Sequence, residues 1–516
     1  MSTNRIIKAF IILLFFGNNE VYSFPLNANT SLNTININTL EIEKNIEQDS
    51  YTDETEKISM TLDECIKKAL LNNPIIKKYY FDIKSQRELF NAARTKWLPT
   101  IQFEGDPALT QYYNATSQDL INKNTASNIF EKARSSSDSV NSTSFNEYDV
   151  FSLEQEISID LYVYWNIIDA TRTPSIKSEW ELIKQNQNIL KLTARKLLAE
   201  VTEAYVKAQG ATKIIKELKP LIDISIESEI ELKKQLDIGY TDIGQVSQAQ
   251  TQVLNLLNTL AIAKGDRERY SAILTSLVSD ETNKMIIPAD DLKTPEEYIV
   301  SIEDAIKASI ENNELRKAYI DEAESAEWSA TAYENSYLPK LYLYLNWYYG
   351  NSWGISDADV NSPDIASNSY YGVDKGYYAG LGFTWDFDGG ENIYNAKSKR
   401  ANAQSLRQSA KSAELDFVGK TRENYIEHKR ALQSIQIASE AVKTSKNNLT
   451  VLQLRSRYGL QDVTTTVQAF NLYNESLNQW IDAVEQANIS LANLYRYTST
   501  FPEGLDLDQI LTKGEI

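Results

Sequence analysis

Two spacings of apolar residues alternate along this chain of 516 residues. Over long stretches they recur every three and four places, as on a helix that buries one stripe. Over shorter stretches they recur every second place, as on a strand with one apolar face. Leu197, Val201, Ala204, Ala208, Ala211, Ile215, Leu218 and Ile222 keep a strict four-three alternation. That is a 3.5-residue period, which predicts a coiled-coil seam. Phe417, Ala431, Ile435, Ala438 and Val442 mark a second seam, and Phe470, Tyr473, Leu477, Trp480, Val484, Ala487, Leu491 and Leu494 a third. In contrast, Tyr377, Ala379, Leu381, Phe383, Trp385 and Phe387 alternate with small or polar positions. So do Leu341 to Tyr349, and Phe151 to Trp165. A weaker strand starts at Pro99, giving four in all, each of about ten residues.

The pattern is written twice. Thr61-Leu62-Asp63-Glu64 returns as Ser301-Ile302-Glu303-Asp304, Asn72-Asn73 as Asn312-Asn313, and Trp97-Leu98-Pro99 as Tyr337-Leu338-Pro339. Leu62 to Pro99 and Ile302 to Pro339 both span 37 positions, and Trp165 to Gly239 and Trp385 to Gly459 both span 74. Only the Pro-to-Trp segment differs, 66 against 46. Fixed lengths imply rigid elements, and the variable one a free loop. The Ser/Asn/Asp-rich stretches 106–148 and 351–375 are read as those loops.

Each repeat therefore reads as helix, strand, loop, strand, long helix, turn, helix. Thr61 with Glu64 forms a capping box, and the helix it opens runs to about Trp97. Pro174 suits the first turn of the long helix and Pro220 is expected to kink it. Gly239 and Gly459 end the long helices, and Asp242 and Asp462 cap those that follow. The chain divides into a signal peptide over 1–23, a flexible arm over 24–60, repeat one over 61–287, a linker over 288–300, repeat two over 301–499 and a tail over 500–516.

The signal rests on Arg5 and Lys8 before a nine-residue apolar run at 9–17, with Val21-Tyr22-Ser23 as the cleavage region. No later run is long enough for a transmembrane helix, so any membrane contact is made by strands or by partners. Four strands cannot close, and open edges in lipid are prohibitive. Three chains give twelve strands and a lumen, where two would give a filled barrel. The fold class is mostly α with a membrane β-barrel. A tandem-repeat protomer of long coiled-coil helices and four strands forms a trimeric twelve-stranded barrel, continued by a periplasmic α-barrel.

Chemistry adds little. A net charge of −19 argues against nucleic acid. The single histidine, His428, and the single cysteine, Cys65, leave no material for a catalytic triad or a metal centre. Cys65 repeats as Ala305 and reads as core, and His428 repeats seam residue Ala208. No catalytic, cofactor or metal residues are assigned.

These features resemble the TolC-like outer-membrane factor family. The resemblance is carried by the duplicated capped start with Asn-Asn, the Leu-Pro junctions, the strand-end Trp, the Tyr-Gly-Leu tip before Asp462, and Phe470-Asn471-Leu472-Tyr473-Asn474. It covers roughly 61–512. It implies an outer-membrane exit duct for an efflux pump or a type I secretion system, working as a homotrimer. A periplasmic adaptor and an inner-membrane transporter are the implied partners. Residues 288–299, with the chain from Pro502, would form a belt around the α-barrel. The tip implied for adaptor contact and entrance comprises Gly239, Asp242, Gln245, Gly459, Asp462, Thr465 and Gln468. Where efflux members often carry gating carboxylates, six and nine residues after the tip Gly, this chain has Gln245 and Gln248, then Thr465 and Gln468. The alternative is a periplasmic coiled-coil or adaptor-like protein without a channel. The four alternating strands, which a coiled coil does not need, separate the two.

Overall fold

A computed structural model describes residues 39, 41, 43–44, 57–105, 110–120, 146–279, 284–360, 366–457 and 463–500. The chain divides into two compact units, Met1–Asp49 and Ser50–Ile516. In the first, the described residues Thr39, Glu41, Glu43 and Lys44 are helical. All that follows concerns the second.

Its elements in chain order are β1 (Lys57–Met60), α1 (Leu62–Asn72), α2 (Pro74–Thr95), β2 (Thr100–Gly105), β3 (Thr110–Leu120), β4 (Asn146–Ile168), α3 (Arg172–Asp237) and α4 (Ile243–Val278). There follow β5 (Met285–Pro288), α5 (Ile302–Glu311), α6 (Glu314–Asn335), β6 (Lys340–Val360), β7 (Ala366–Thr384), α7 (Glu391–Arg457) and α8 (Val463–Tyr497). The long helices α3 and α7 hold 66 and 67 residues, about 100 Å each. α3 runs unbroken through Pro220. The eight seam residues of α3 are all buried. In repeat one α1, α2 and α4 lie along α3; in repeat two α5, α6 and α8 lie along α7.

The single helix expected from Thr61 to Trp97 is two helices. Asn73 is extended at φ −61°, ψ 125°, and both ends α1 and caps α2. Pro74 has no N–H to continue the helix and clashes with the turn before it. The Asn73 carboxamide accepts from Ile75 N–H at 2.9 Å and donates to the Leu277 carbonyl at 2.9 Å. Repeat two breaks at the same place without a proline. Asn313, fully buried, accepts from Arg316 N–H and donates to the Ala413 carbonyl. The duplicated Asn-Asn is thus a break whose side chains satisfy the freed backbone and tie it to a neighbouring helix.

The capping box is present: Glu64 N–H donates to Thr61 Oγ1 and Thr61 N–H to Glu64 Oε2. At the shorter Asp304, the Ser301 hydroxyl donates to the carboxylate instead. Strand-end tryptophans close the junctions identically. Trp165 Nε1–H donates to the Trp97 carbonyl and Trp385 Nε1–H to the Tyr337 carbonyl, both at 2.9 Å.

The main sheet is antiparallel in the order β2–β4–β6–β7, with β3 paired to β4 beyond the end of β2. The repeat superposes in register: Thr100 faces Tyr164 as Lys340 faces Thr384. The strands are longer than ten residues: β4 has 23, β6 21 and β7 19. Much of the two stretches read as loops is therefore strand. The expectation followed apolar alternation, whereas a ladder needs only backbone groups in register. Twenty-five positions separate Leu120 from Asn146 and five separate Val360 from Ala366. The 20-residue difference between the repeats lies in these connections.

A second sheet was not foreseen. β1, inside the supposed flexible arm, pairs in parallel with β5 at the end of repeat one, from Lys57 opposite Met285 to Met60 opposite Pro288. It closes a core of Cys65, Leu70, Ile76, Leu197, Val201, Leu274 and Ile286. Burial pushes the Cys65 thiol up to about 12, so it behaves as a small apolar residue.

His428 is buried between α7, α8 and the linker. Its Nδ1–H donates to the Ala487 carbonyl at 3.0 Å and Nε2 accepts the Tyr298 N–H at 3.4 Å. Burial holds its imidazole below the ordinary value of 6.5, against opposing hydrogen bonds. The unfolded chain takes up a proton near that value and the folded chain only below it. This contribution to stability is present above about pH 6.5 and is lost as pH falls through the folded pKa. We expect the thermal midpoint to drop between about pH 7.5 and 5.5, and His428→Gln to flatten part of that drop in a melting series.

Candidate functional site: the two-faced sheet and the helical tip

Register assigns each strand residue to one face of the main sheet. One face carries Ile101 and Phe103 of β2, Leu161 and Val163 of β4, Leu341, Leu343, Leu345 and Trp347 of β6, and Tyr377, Leu381 and Phe383 of β7. Several are largely exposed, Phe103 at 69% and Phe383 at 71%. This is a broad uncovered apolar band of the kind that marks a lipid or protein contact.

The opposite face is aromatic and acidic. It carries Tyr162, Tyr164, Tyr342, Tyr344, Tyr348 and Tyr378, with Glu104, Glu156, Asp160 and Asp374. Tyr342 and Tyr344 lie flat over Gly382 and Gly380, where an added Cβ would come within 2.6 Å of the tyrosine hydroxyl oxygen. Glycine there lets the rings lie down instead of projecting from the sheet. Tyr164 and Tyr342 stack at 4.9 Å between centroids, and Asn346 Nδ2 donates to Tyr378 Oη at 3.0 Å. Among the described residues, the outer edges of β2 and β7 have no strand beside them, and no helix is long and apolar enough to cross a membrane.

The far end of the helices carries the predicted tip. Gly239 is left-handed at φ +74°, a conformation that favours glycine. Asp242 caps α4, accepting from Gly244 N–H at 2.7 Å and Gln245 N–H at 3.1 Å. The Gln245 carboxamide oxygen accepts from the Thr241 hydroxyl at 2.8 Å. Thr465 is half-buried and Gln468 exposed, while Gly459 and Asp462 lie outside the described residues. The Thr464 hydroxyl donates to Gln248 at 2.9 Å, joining the tips of the two repeats. Sequence reasoning passed over Ile238 and Tyr240, which flank the tip glycine at 72% and 86% exposure. Two apolar side chains beside a tight turn are the signal that would have found them.

Farther along the helices, Glu217 joins the repeats. It pairs with Lys213 at 3.0 Å and Lys446 at 3.5 Å and accepts from Tyr473 Oη at 3.0 Å. Burial raises its carboxyl pKa, but these partners outweigh it and hold the group below the ordinary value.

Residues 307–500 match the family described as outer membrane efflux protein. No curated protein matches the sequence. Among solved structures, the Campylobacter jejuni CmeC outer membrane channel matches at TM-score 0.66 and 12% identity, over 88% of this chain and 89% of that one. The Vibrio cholerae outer membrane protein VceC matches at 0.60 and 12%, over 85% and 96%. The open-state MtrE channel of Neisseria gonorrhoeae matches at 0.59 and 14%, over 85% and 89%. Likeness at such identity is likeness of fold.

Proposed function

We propose that this chain, whose second repeat matches the outer membrane efflux protein family and whose fold is shared along most of its length with solved outer membrane channels, is an outer-membrane factor and serves as the exit duct of an efflux or type I secretion assembly. The observation that carries this reading is the two-faced sheet with two unpaired edges. An apolar band on one side, a polar face on the other and open edges suit a barrel wall that other copies complete. Three copies supply twelve strands. The apolar band meets lipid, the tyrosine and carboxylate face lines the lumen, and the helices descend into the periplasm. The tip around Gly239, Asp242, Gln245, Gly459, Asp462, Thr465 and Gln468 meets the adaptor and forms the entrance. Asp242 and Asp462 are then the carboxylates nearest the mouth, and an inner-membrane transporter supplies the energy.

The internal repeat specifies how copies would join. Within the chain, β4 meets β6 with Tyr164 opposite Tyr344. Carried forward one repeat, that pairing sets Thr384 of one copy opposite Glu104 of the next. In a Cys65→Ala background, Thr384→Cys with Glu104→Cys is expected to give a disulfide-linked trimer in the outer-membrane fraction. A heat-labile trimer that never cross-links would reject this register. Recovery as a soluble monomer would reject the duct and favour the coiled-coil alternative.

A further inference from the structure

A cavity of about 680 Å³ lies over α3, between α2 and α6. Its floor includes Ile83 and Leu190, both nearly fully buried. Five cations line it, Lys84, Arg87, Lys184, Lys191 and Lys317, against the carboxylates of Glu88 and Asp321. This excess of positive charge sits in a chain of net charge −19. Lys184 is paired with Glu181 at 2.9 Å, and Asp321 accepts from Asn188 Nδ2 at 2.7 Å. Lys84, Arg87 and Lys317 have no ion-pair partner among the described residues, where the structure pairs many other lysines and arginines.

The corresponding helices of the second repeat, α6 and α7, carry a different charge arrangement at the equivalent positions. Positions 240 residues after Lys84 and Arg87 are Glu324 and Glu327, and 220 after Gln187 is Arg407. Arg407 pairs with Glu324 at 3.6 Å and with Glu327 at 3.1 Å. In the first repeat the sign on the short helix is reversed and the long helix offers neutral Gln187. Neither carboxylate lining the groove, Glu88 or Asp321, forms an ion pair with Lys84, Arg87 or Lys317 among the described residues.

We propose that this cavity binds a small oxyanion carrying two or more negative charges, borne on phosphate or carboxylate groups. The Arg87 guanidinium offers a planar fork to such a group, with Lys84 and Lys317 as further point charges. The apolar floor reduces solvent screening of these contacts. The site lies roughly 20–30 Å along the helices from the sheet, so its ligand is one that reaches it from water.

The test is calorimetric titration of the full-length protein in detergent at low ionic strength, with inorganic pyrophosphate and with citrate as separate probes. We expect saturable binding of one or both, weakened by added salt and about tenfold or more by Arg87→Gln combined with Lys317→Gln. Arg87→Lys should retain part of the affinity, and Arg407→Gln in the second repeat should leave it unchanged. Binding of pyrophosphate alone would point to a phosphate-bearing ligand, and of citrate alone to a carboxylate one. No saturable heat with either probe, or equal affinity in the Arg87/Lys317 variant, overturns the site. Neither result bears on whether the chain is a duct.

Discussion

Arg195→Met is expected to destabilise the protein by about 3–5 kcal/mol, read as a lower urea midpoint in the solubilised protein. Arg195 Nε meets Glu314 Oε1 at 2.8 Å, with side chains 9% and 6% exposed. Arg195 Nη1 also donates to the Thr500 carbonyl at 2.7 Å, and the Ser499 hydroxyl donates to the second Glu314 oxygen. One buried pair thus joins α3 of the first repeat, α6 of the second and the chain after α8. Removing the arginine leaves a carboxylate in the interior with one hydroxyl, and desolvation of that lone charge sets the cost. The pair itself need not be favourable against an apolar replacement. The equivalent positions in the other copy of the repeat are Leu415 and Pro74. The double variant Arg195→Met/Glu314→Leu is therefore expected to recover most of the loss. A single variant as stable as the parent would show that water reaches the site.

The second large effect concerns the sheet. Leu345 sits mid-strand on the apolar face of β6, between Val163 and Ala379, while its neighbour Tyr344 points to the other face. Under the duct reading, Leu345→Arg places a charge in hydrocarbon at about 2–4 kcal/mol per chain near the midplane. Three copies multiply that cost. Tyr344→Arg places the same charge in the lumen. We expect Leu345→Arg to abolish the heat-labile species in the outer-membrane fraction and Tyr344→Arg to preserve it. Equal tolerance of both would mean that the apolar band does not face lipid.

Much of this architecture was legible in the sequence because it is written in short-range patterns. A helix cap needs residues three apart, so Thr61 and Glu64 announced themselves, as did Asp242. The seam of α3 needs only a 3.5 period, and its eight residues are all buried. The misses follow from the same logic. The Asn-Asn pair is visible in the sequence as a repeated word but not as a break. Its effect depends on carbonyls supplied by α4 and α7, at Leu277 and Ala413. The strands outran their apolar alternation because partner strands satisfied the backbone regardless of side chain.

By itself the sequence determined the duplication, the helix seams, the Gly239 turn with its Asp242 cap and the two faces of the strands, since each depends on neighbours within a few turns or on period alone. Tertiary structure decided the rest. It paired residues 57–60 with 285–288, placed Arg195 against Glu314, and gathered cations of α2, α3 and α6 around one groove. Those outcomes depend on which side chains arrive together from distant segments, and burial then fixes what each charge costs or gains. No local period encodes that.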